Sequence, residues 1–331
     1  METMPVTLEQ ATSLLDLRFV DMIIGPDYAE LRELEGSQSL TDKVPGHLQA
    51  DVNLLRQQCR QALRTLTKSE FTATLGEEKF RVTQLFDVDS QDIFILARAD
   101  VKTRPLKSLG MAERLFNHLT RPKLSGLVVV SGGMRHGKTS TADAIFIDRL
   151  ERHGGLGIAL ADPPETALNG IHGKGRAIQI EVAREHGGYQ EQLMRGLRSR
   201  ANIFYLGETR DPPSAIEVVR VSGNGWPVLT TLHADSPELT FTKLQSLCAG
   251  SGASVESFNA MLADNIAAVI HQQLETVKTA TGIAKRLQIN WLVLDGKEDT
   301  AIRAKIRKGD FAGLNTEIAA QKAAAIFGNR T

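Results

Sequence analysis

Two cysteines, Cys59 and Cys248, are all that this chain of 331 residues carries. That is too few for a disulfide framework or a four-cysteine zinc site. Both thiols are expected to be buried and inert in a reducing compartment. Aromatic side chains are scarce, with 12 Phe, 3 Tyr and 2 Trp, which counts against base stacking or carbohydrate platforms. Neither charge is in excess: 39 Lys and Arg balance 39 Asp and Glu. A dedicated binder of nucleic acid or anionic membrane would show a basic surplus or stripe. No stretch approaches the ~20 apolar residues of a membrane span, and no internal repeat or low-complexity tract is evident. Glu2, Glu9 and Asp16 stand where a signal peptide would carry positive charge and then an apolar run. A cytoplasmic protein is expected.

What is present suggests about two domains, at roughly 150 residues each. In the first hundred residues, Val52, Leu55, Cys59, Leu63 and Leu66 recur at three- and four-residue steps, which predicts a helix over 50–68. A hairpin is expected from strands 71–75 and 79–86 around Gly76-Glu77, with a third strand over 91–97. A helix on an antiparallel sheet follows, in a domain spanning 1–104. Pro105 and Pro122 bracket a helical segment, 109–119, and residues 105–122 read as a linker. The second domain, 123–331, changes in texture. Leu127-Val128-Val129-Val130 is an apolar run bounded by Gly126, as in a strand buried on both faces. Further strands are predicted at 158–161, 178–182, 203–206 and 228–232, with helices at 139–153, 189–200 and 214–222 between them. Such alternation implies a parallel sheet covered on both sides. The tail is read as a helix over 255–268, a strand over 287–294 and helices from Ala301 onward.

Gly132-Gly133-Met134-Arg135-His136-Gly137-Lys138-Thr139 fits G-x-x-x-x-G-K-[ST] and lies between a predicted strand and a predicted helix. In such a loop the glycines let backbone N–H groups point inward at phosphate, and the helix beginning near Lys138 adds the positive end of its dipole. Lys138 would reach the β- and γ-phosphates, Thr139 would ligate Mg²⁺, and Ser140 would donate to the α-phosphate. Hydrolysis also needs a carboxylate that orients water. Ile203-Phe204-Tyr205-Leu206-Gly207-Glu208 is an apolar strand ending in one, on the rim where the phosphate loop would sit. Glu208 is the candidate general base.

With Arg195, Arg198 and Arg200 before that strand and Thr209-Arg210-Asp211 after it, the segment resembles the Walker B region of the type II secretion and type IV pilus ATPases, the PilT/GspE-like family. Ala161-Asp162-Pro163-Pro164-Glu165 is similar to the family's aspartate box. The run from Gly225 and Trp226 to His233 and Ala234 is similar to its histidine box. Residues 301–309 are similar to the Ala-Ile-Arg helix of pilus retraction motors. The resemblance covers about residues 70–310. It implies a PAS-like α+β domain followed by a RecA-like P-loop ATPase domain, with ATP between the two and Mg²⁺ as cofactor. It further implies a homo-hexamer that powers a pilus, secretion or conjugation machine from the inner face of the inner membrane, against a membrane platform protein. Glu208 would be the base, Asp162 and Glu165 would act around Mg²⁺ and water, and His233 would read the γ-phosphate. Arg81 and Arg98 match the arginine positions that neutralise transition-state charge, with Arg195 and Arg198 as competitors.

Three departures stand out. Ala161 replaces the first carboxylate of the aspartate box, Trp226 the first histidine of the histidine box, and Arg135 a glycine of the phosphate loop. The lack of a four-cysteine motif and of a long N-terminal extension favours a compact retraction-type or conjugation-type motor. Alternatives are a nucleic-acid translocase, which the neutral charge disfavours, and a weakly hydrolysing, nucleotide-bound assembly scaffold, which Ala161 and Trp226 suggest. A small-molecule kinase would leave the histidine box without a purpose.

Overall fold

A computed structural model describes residues 6–65, 70–98, 103–162, 164–182, 188–279, 282–295 and 299–327. The chain divides into two units, Met1–Lys102 and Thr103–Thr331.

Among the described residues, the first unit is one antiparallel sheet and one α-helix. Strands β1 (Asp21–Ile24), β2 (Ala29–Arg32) and β3 (Thr41–Lys43) precede helix α1 (Gln49–Thr65); β4 (Glu70–Leu75), β5 (Glu78–Phe86) and β6 (Asp92–Arg98) follow it. The sheet order is β3-β2-β1-β6-β5-β4. The periodic residues Val52, Leu55 and Cys59 of α1 are wholly buried, and Phe80, Val82, Phe94 and Leu96 from alternate positions of β5 and β6 share their core. Residues 66–68 of the expected helix lie outside the described residues. Sequence reading missed β1–β3. These strands are three or four residues long, too short for a period-two pattern to show.

The second unit is built on eight strands. Helix α2 (Glu113–Thr120) and strand β7 (Gly126–Ser131) lead into α3 (Lys138–His153). Then come β8 (Gly155–Ala161), β9 (Gly170–His172), β10 (Gly175–Glu181), α4 (Gly188–Leu197), β11 (Ile203–Leu206), α5 (Pro212–Ser222) and β12 (Pro227–Leu232). The chain closes with α6 (Pro237–Ala249), α7 (Val255–Asn265), β13 (Ile266–Thr279), β14 (Gly282–Val293), α8 (Thr300–Lys308) and α9 (Asn315–Phe327). Strand order is β14-β13-β7-β12-β11-β8-β10-β9, parallel from β13 to β10 and antiparallel at both edges. All six residues of β7 are buried. Leu127 and Val129 join the apolar layer on one face, Val128 and Val130 the layer on the other, as strand alternation requires.

Three features differ from the sequence reading. The expected helix over 255–268 stops at Asn265, and Ile266-Ala267-Ala268-Val269-Ile270 begins a long strand. A short apolar run is compatible with either state, and pairing with β7 on one side and β14 on the other decides it. Residues 106–120, read as part of a linker, place Leu106, Leu115 and Leu119 in the apolar layer of the second unit. The sheet is mixed rather than wholly parallel, because β14 returns beside β13 as a hairpin and β9 turns back on β10.

Candidate functional site

Strands β7, β12, β11 and β8 are neighbours and parallel, so the loops leaving their carboxyl ends share one rim. On it lie the phosphate-loop segment after β7, Asp162 to Thr166 after β8, Glu208 after β11 and His233 after β12.

The loop turns on two glycines with different duties. Gly137 has φ +77 and caps the start of α3. Gly132 is needed for close approach, since a Cβ there would lie 2.4 Å from the Gln272 carbonyl oxygen of β13. Gln272 also donates its amide Nε2 to the His136 carbonyl at 2.5 Å. Arg135 has φ +62, a left-handed backbone that costs a non-glycine residue roughly 1–2 kcal/mol. The geometry explains why glycine suits this position better. Gly133, Met134, Thr139 and Ser140 complete the loop and the first turn of the helix.

Lys138 is only 8 % exposed. Its Nζ donates to the Gly133 carbonyl at 2.8 Å and lies 3.3 Å from Nδ1 of His233. The other ring nitrogen of His233, Nε2, lies 3.3 Å from Oε1 of Glu208. Burial pushes the Lys138 pKa down, against the opposing pull of Glu208 and Glu165. Burial, with the Lys138 charge beside it, also lowers the His233 pKa, Glu208 opposing. The imidazole is therefore held neutral near pH 7, with one nitrogen free to accept and the other to donate.

Asp162 is paired with Arg210, whose Nη2 donates to Oδ2 at 2.8 Å. Tyr189 lies near this pair; its pKa is pushed well up by burial first and then by Asp162. Glu165 is half-buried and lies close enough to act electrostatically on Lys138. Pro163 of the same box lies outside the described residues.

The structure brings the phosphate loop, Glu208, His233 and Glu165 together. It gives Trp226 other work. Trp226 immediately precedes β12 while His233 immediately follows it, so a six-residue strand, roughly 20 Å long, separates them. The Trp226 ring packs against Phe204 at 6.0 Å between centroids. Ala161 is the last residue of β8, paired with Glu181 of β10. In the first unit, Arg98 donates to Glu78 Oε2 at 3.1 Å and to the Leu17 carbonyl at 2.5 Å, and it lies over the Phe19 ring. Arg81 sits in the middle of β5, between Thr72 of β4 and Ala97 of β6. Arg195 is exposed and paired with Glu191 one helical turn away.

Sequence reasoning missed Arg210, Tyr189, Gln272 and Asp143 as neighbours of the site. Arg210 is one residue past Thr209 of the Walker B segment and could have been asked for a partner. The others reach the rim through tertiary packing, and nothing local marks them.

The type II/IV secretion system protein family matches residues 68–302 of this chain. The type II secretion system protein E of Klebsiella pneumoniae is 27% identical over 271 residues, covering 78% of this chain and 49% of that protein. The type IV pilus retraction ATPase PilT of Pseudomonas aeruginosa is 29% identical over 178 residues, covering 52% of this chain and 48% of the relative. The chain spans about a third to a half of the length of the curated relatives it first matches. Among solved structures, the pilus retraction motor PilT with bound ADP superposes with a TM-score of 0.70 at 20% identity, over 92% of this chain and 86% of that one. That likeness establishes the fold: a mixed α/β chain with an N-terminal unit and a RecA-like unit.

Proposed function

This chain belongs to the type II/IV secretion system protein family, and on that basis we propose that it is a P-loop ATPase whose hydrolysis drives a pilus or a related secretion or conjugation machine. One observation carries the reading. Lys138, His233 and Glu208 form a continuous polar chain at the N-terminus of α3, beside a loop whose backbone can cradle phosphate.

The residues present suit a magnesium nucleotide. Lys138 is a largely desolvated cation whose Nζ bonds back to the Gly133 carbonyl of the loop, so its attraction to phosphate would be little screened by water. The α3 N-terminus offers unbonded N–H groups. Thr139, and Asp162 with Arg210 fixing it, would hold Mg²⁺; the ion, when bound, supplies charge neutralisation at the phosphates. Glu208 would take the proton of the attacking water. His233, neutral and tied to Glu208, orients that carboxylate and senses the terminal phosphate through Lys138. Glu165 supports the same water from the β8 loop. Steady-state phosphate release by the purified chain tests the reading, with Glu208→Gln as its control. Turnover in the wild type and none in the variant is the expected result; equal turnover in both removes the base assignment.

The coupling follows the same logic. The motor reading requires a homo-hexamer, nucleotide-driven closure of the first unit on the second, an inner-membrane platform partner and a position at the membrane's inner face. No described helix is long and apolar enough to cross a membrane. Arg81 and Arg98 remain the candidates for neutralising transition-state charge; Arg98 bonds Glu78 and backbone carbonyls of its own unit, and it would have to leave them to do so. Sedimentation of the nucleotide-bound chain tests the ring.

A further inference from the structure

One acidic side chain near the rim has no role in the reading above. Asp143 lies on α3, five residues after Lys138, and is 0 % exposed. Its neighbours on the helix, Ala142, Ala144, Ile145 and Phe146, belong to an apolar layer, and packing alone does not call for an acid there. A buried carboxyl group costs stability unless something is gained by holding it. Here its Oδ2 accepts a hydrogen bond from Thr166 Oγ1 at 2.7 Å. The buried Tyr205 hydroxyl of β11 approaches the same carboxyl group, without reaching strict hydrogen-bond geometry to Oδ1.

Thr166 follows Glu165 directly. Its carbonyl accepts from Gln179 Nε2 of β10 at 2.8 Å, and Gln179 Oε1 accepts from the Leu168 N–H at 3.1 Å. The loop after β8 is thus fastened on one side to β10 and on the other to the helix that opens at the phosphate loop. We propose that Asp143 is a positioning residue: through Thr166 it fixes Glu165 relative to Lys138, so that any shift of α3 on nucleotide binding is passed to the Glu165 carboxylate. This rests on the reading of Glu165 as a group that acts at the bound nucleotide. Asp143 itself is wholly buried, more than a turn along α3 from Lys138, whose Nζ meets the loop and His233.

The test uses the full chain with Thr166→Val, Asp143→Asn and Asp143→Ala, following ATP turnover, Mg-ADP affinity and amide exchange over residues 164–169. Thr166→Val keeps the side-chain shape and removes only the donor. It is expected to lower kcat about 10- to 100-fold, as for a displaced catalytic group, with KM and ADP affinity within about threefold, and to quicken exchange over 164–169. Asp143→Ala should do the same. Asp143→Asn should stay near wild type, because its amide oxygen still accepts from Thr166. Wild-type kcat in Thr166→Val, unchanged exchange over 164–169, or an Asp143→Asn variant as poor as Asp143→Ala overturns the proposal. If the wild type binds Mg-ADP but never turns over ATP, the hydrolysis reading fails instead. Exchange over 164–169 in Thr166→Val then decides the tether alone: faster exchange supports it, unchanged exchange removes it.

Discussion

The His233 ring spans the gap between the loop lysine and the strand-end carboxylate: Nδ1 lies 3.3 Å from Lys138 Nζ and Nε2 lies 3.3 Å from Glu208 Oε1. The ring thereby bridges an amine and a carboxyl group, with the lysine the most buried of the three. In the proposed ATPase reading, nucleotide binding would compete with this bridge for the lysine, and hydrolysis would use its other end.

Lys138→Ala removes the desolvated charge. ADP affinity is expected to fall by roughly 10- to 100-fold, the range of a charge-assisted hydrogen bond. Calorimetric titration measures it, and unaltered affinity would show that the lysine faces away from the ligand.

Glu208→Gln keeps the size of the side chain and loses the proton acceptor. Binding should persist while turnover drops by about 10² to 10⁴. Phosphate release measured at saturating nucleotide reports the loss.

The histidine sets a pH limit. Burial and the Lys138 charge, with Glu208 opposing, hold the His233 pKa below its ordinary 6.5, so the neutral ring still predominates at that pH. Protonation removes the acceptor facing Lys138. The midpoint of the acid decline in turnover should lie below pH 6.5, and His233→Ala should lower turnover while sparing most of the binding. A pH–rate profile for each protein checks this; an acid limb centred above 6.5 contradicts it.

Asp143 predicts a stability slope of opposite sense to the usual carboxylate. Burial raises its pKa to about 7 from 3.8. Between those values the folded chain keeps a proton that the unfolded chain has released. This group therefore favours folding in acid, and its contribution is lost as pH rises from about 4 to about 7. Urea unfolding of wild type and Asp143→Asn at about pH 5 and about pH 8 isolates the difference, which should favour the asparagine variant at the higher pH.

Arg135→Gly should stabilise the fold by about 1 kcal/mol, because glycine adopts the left-handed backbone without a Cβ penalty. Thermal unfolding reads this, and a less stable glycine variant would mean that the arginine side chain compensates for its own strain.

The parts of the site legible in sequence are those carried by consecutive residues. Gly132 to Thr139 announces a strand, a turn and a helix start in eight positions, and Glu208 closes an unmistakably apolar strand. The first unit's helix was legible because Val52, Leu55 and Cys59 repeat at helical spacing. The strand at 266–279 was not, because its identity is settled by β7 and β14 on either side. Asp143 looked like one more polar residue on a helix; only the return of the chain at Thr166 gives it a partner. Trp226 read as a lost site residue, yet it stands at the far end of its strand, in the packing against Phe204.

Gln272 has a mechanical consequence. Its backbone lies where a Gly132 Cβ would intrude, and its amide grips the His136 carbonyl. Twelve successive cross-strand partners, Ala268 to Thr279, zip that strand to β14, and Gln321 of α9 bonds both the N–H and the carbonyl of Val293 at its end. The loop proposed to cradle phosphate is thus only as compliant as a long ribbon riveted to the final helix, and bending that ribbon would widen or narrow the loop.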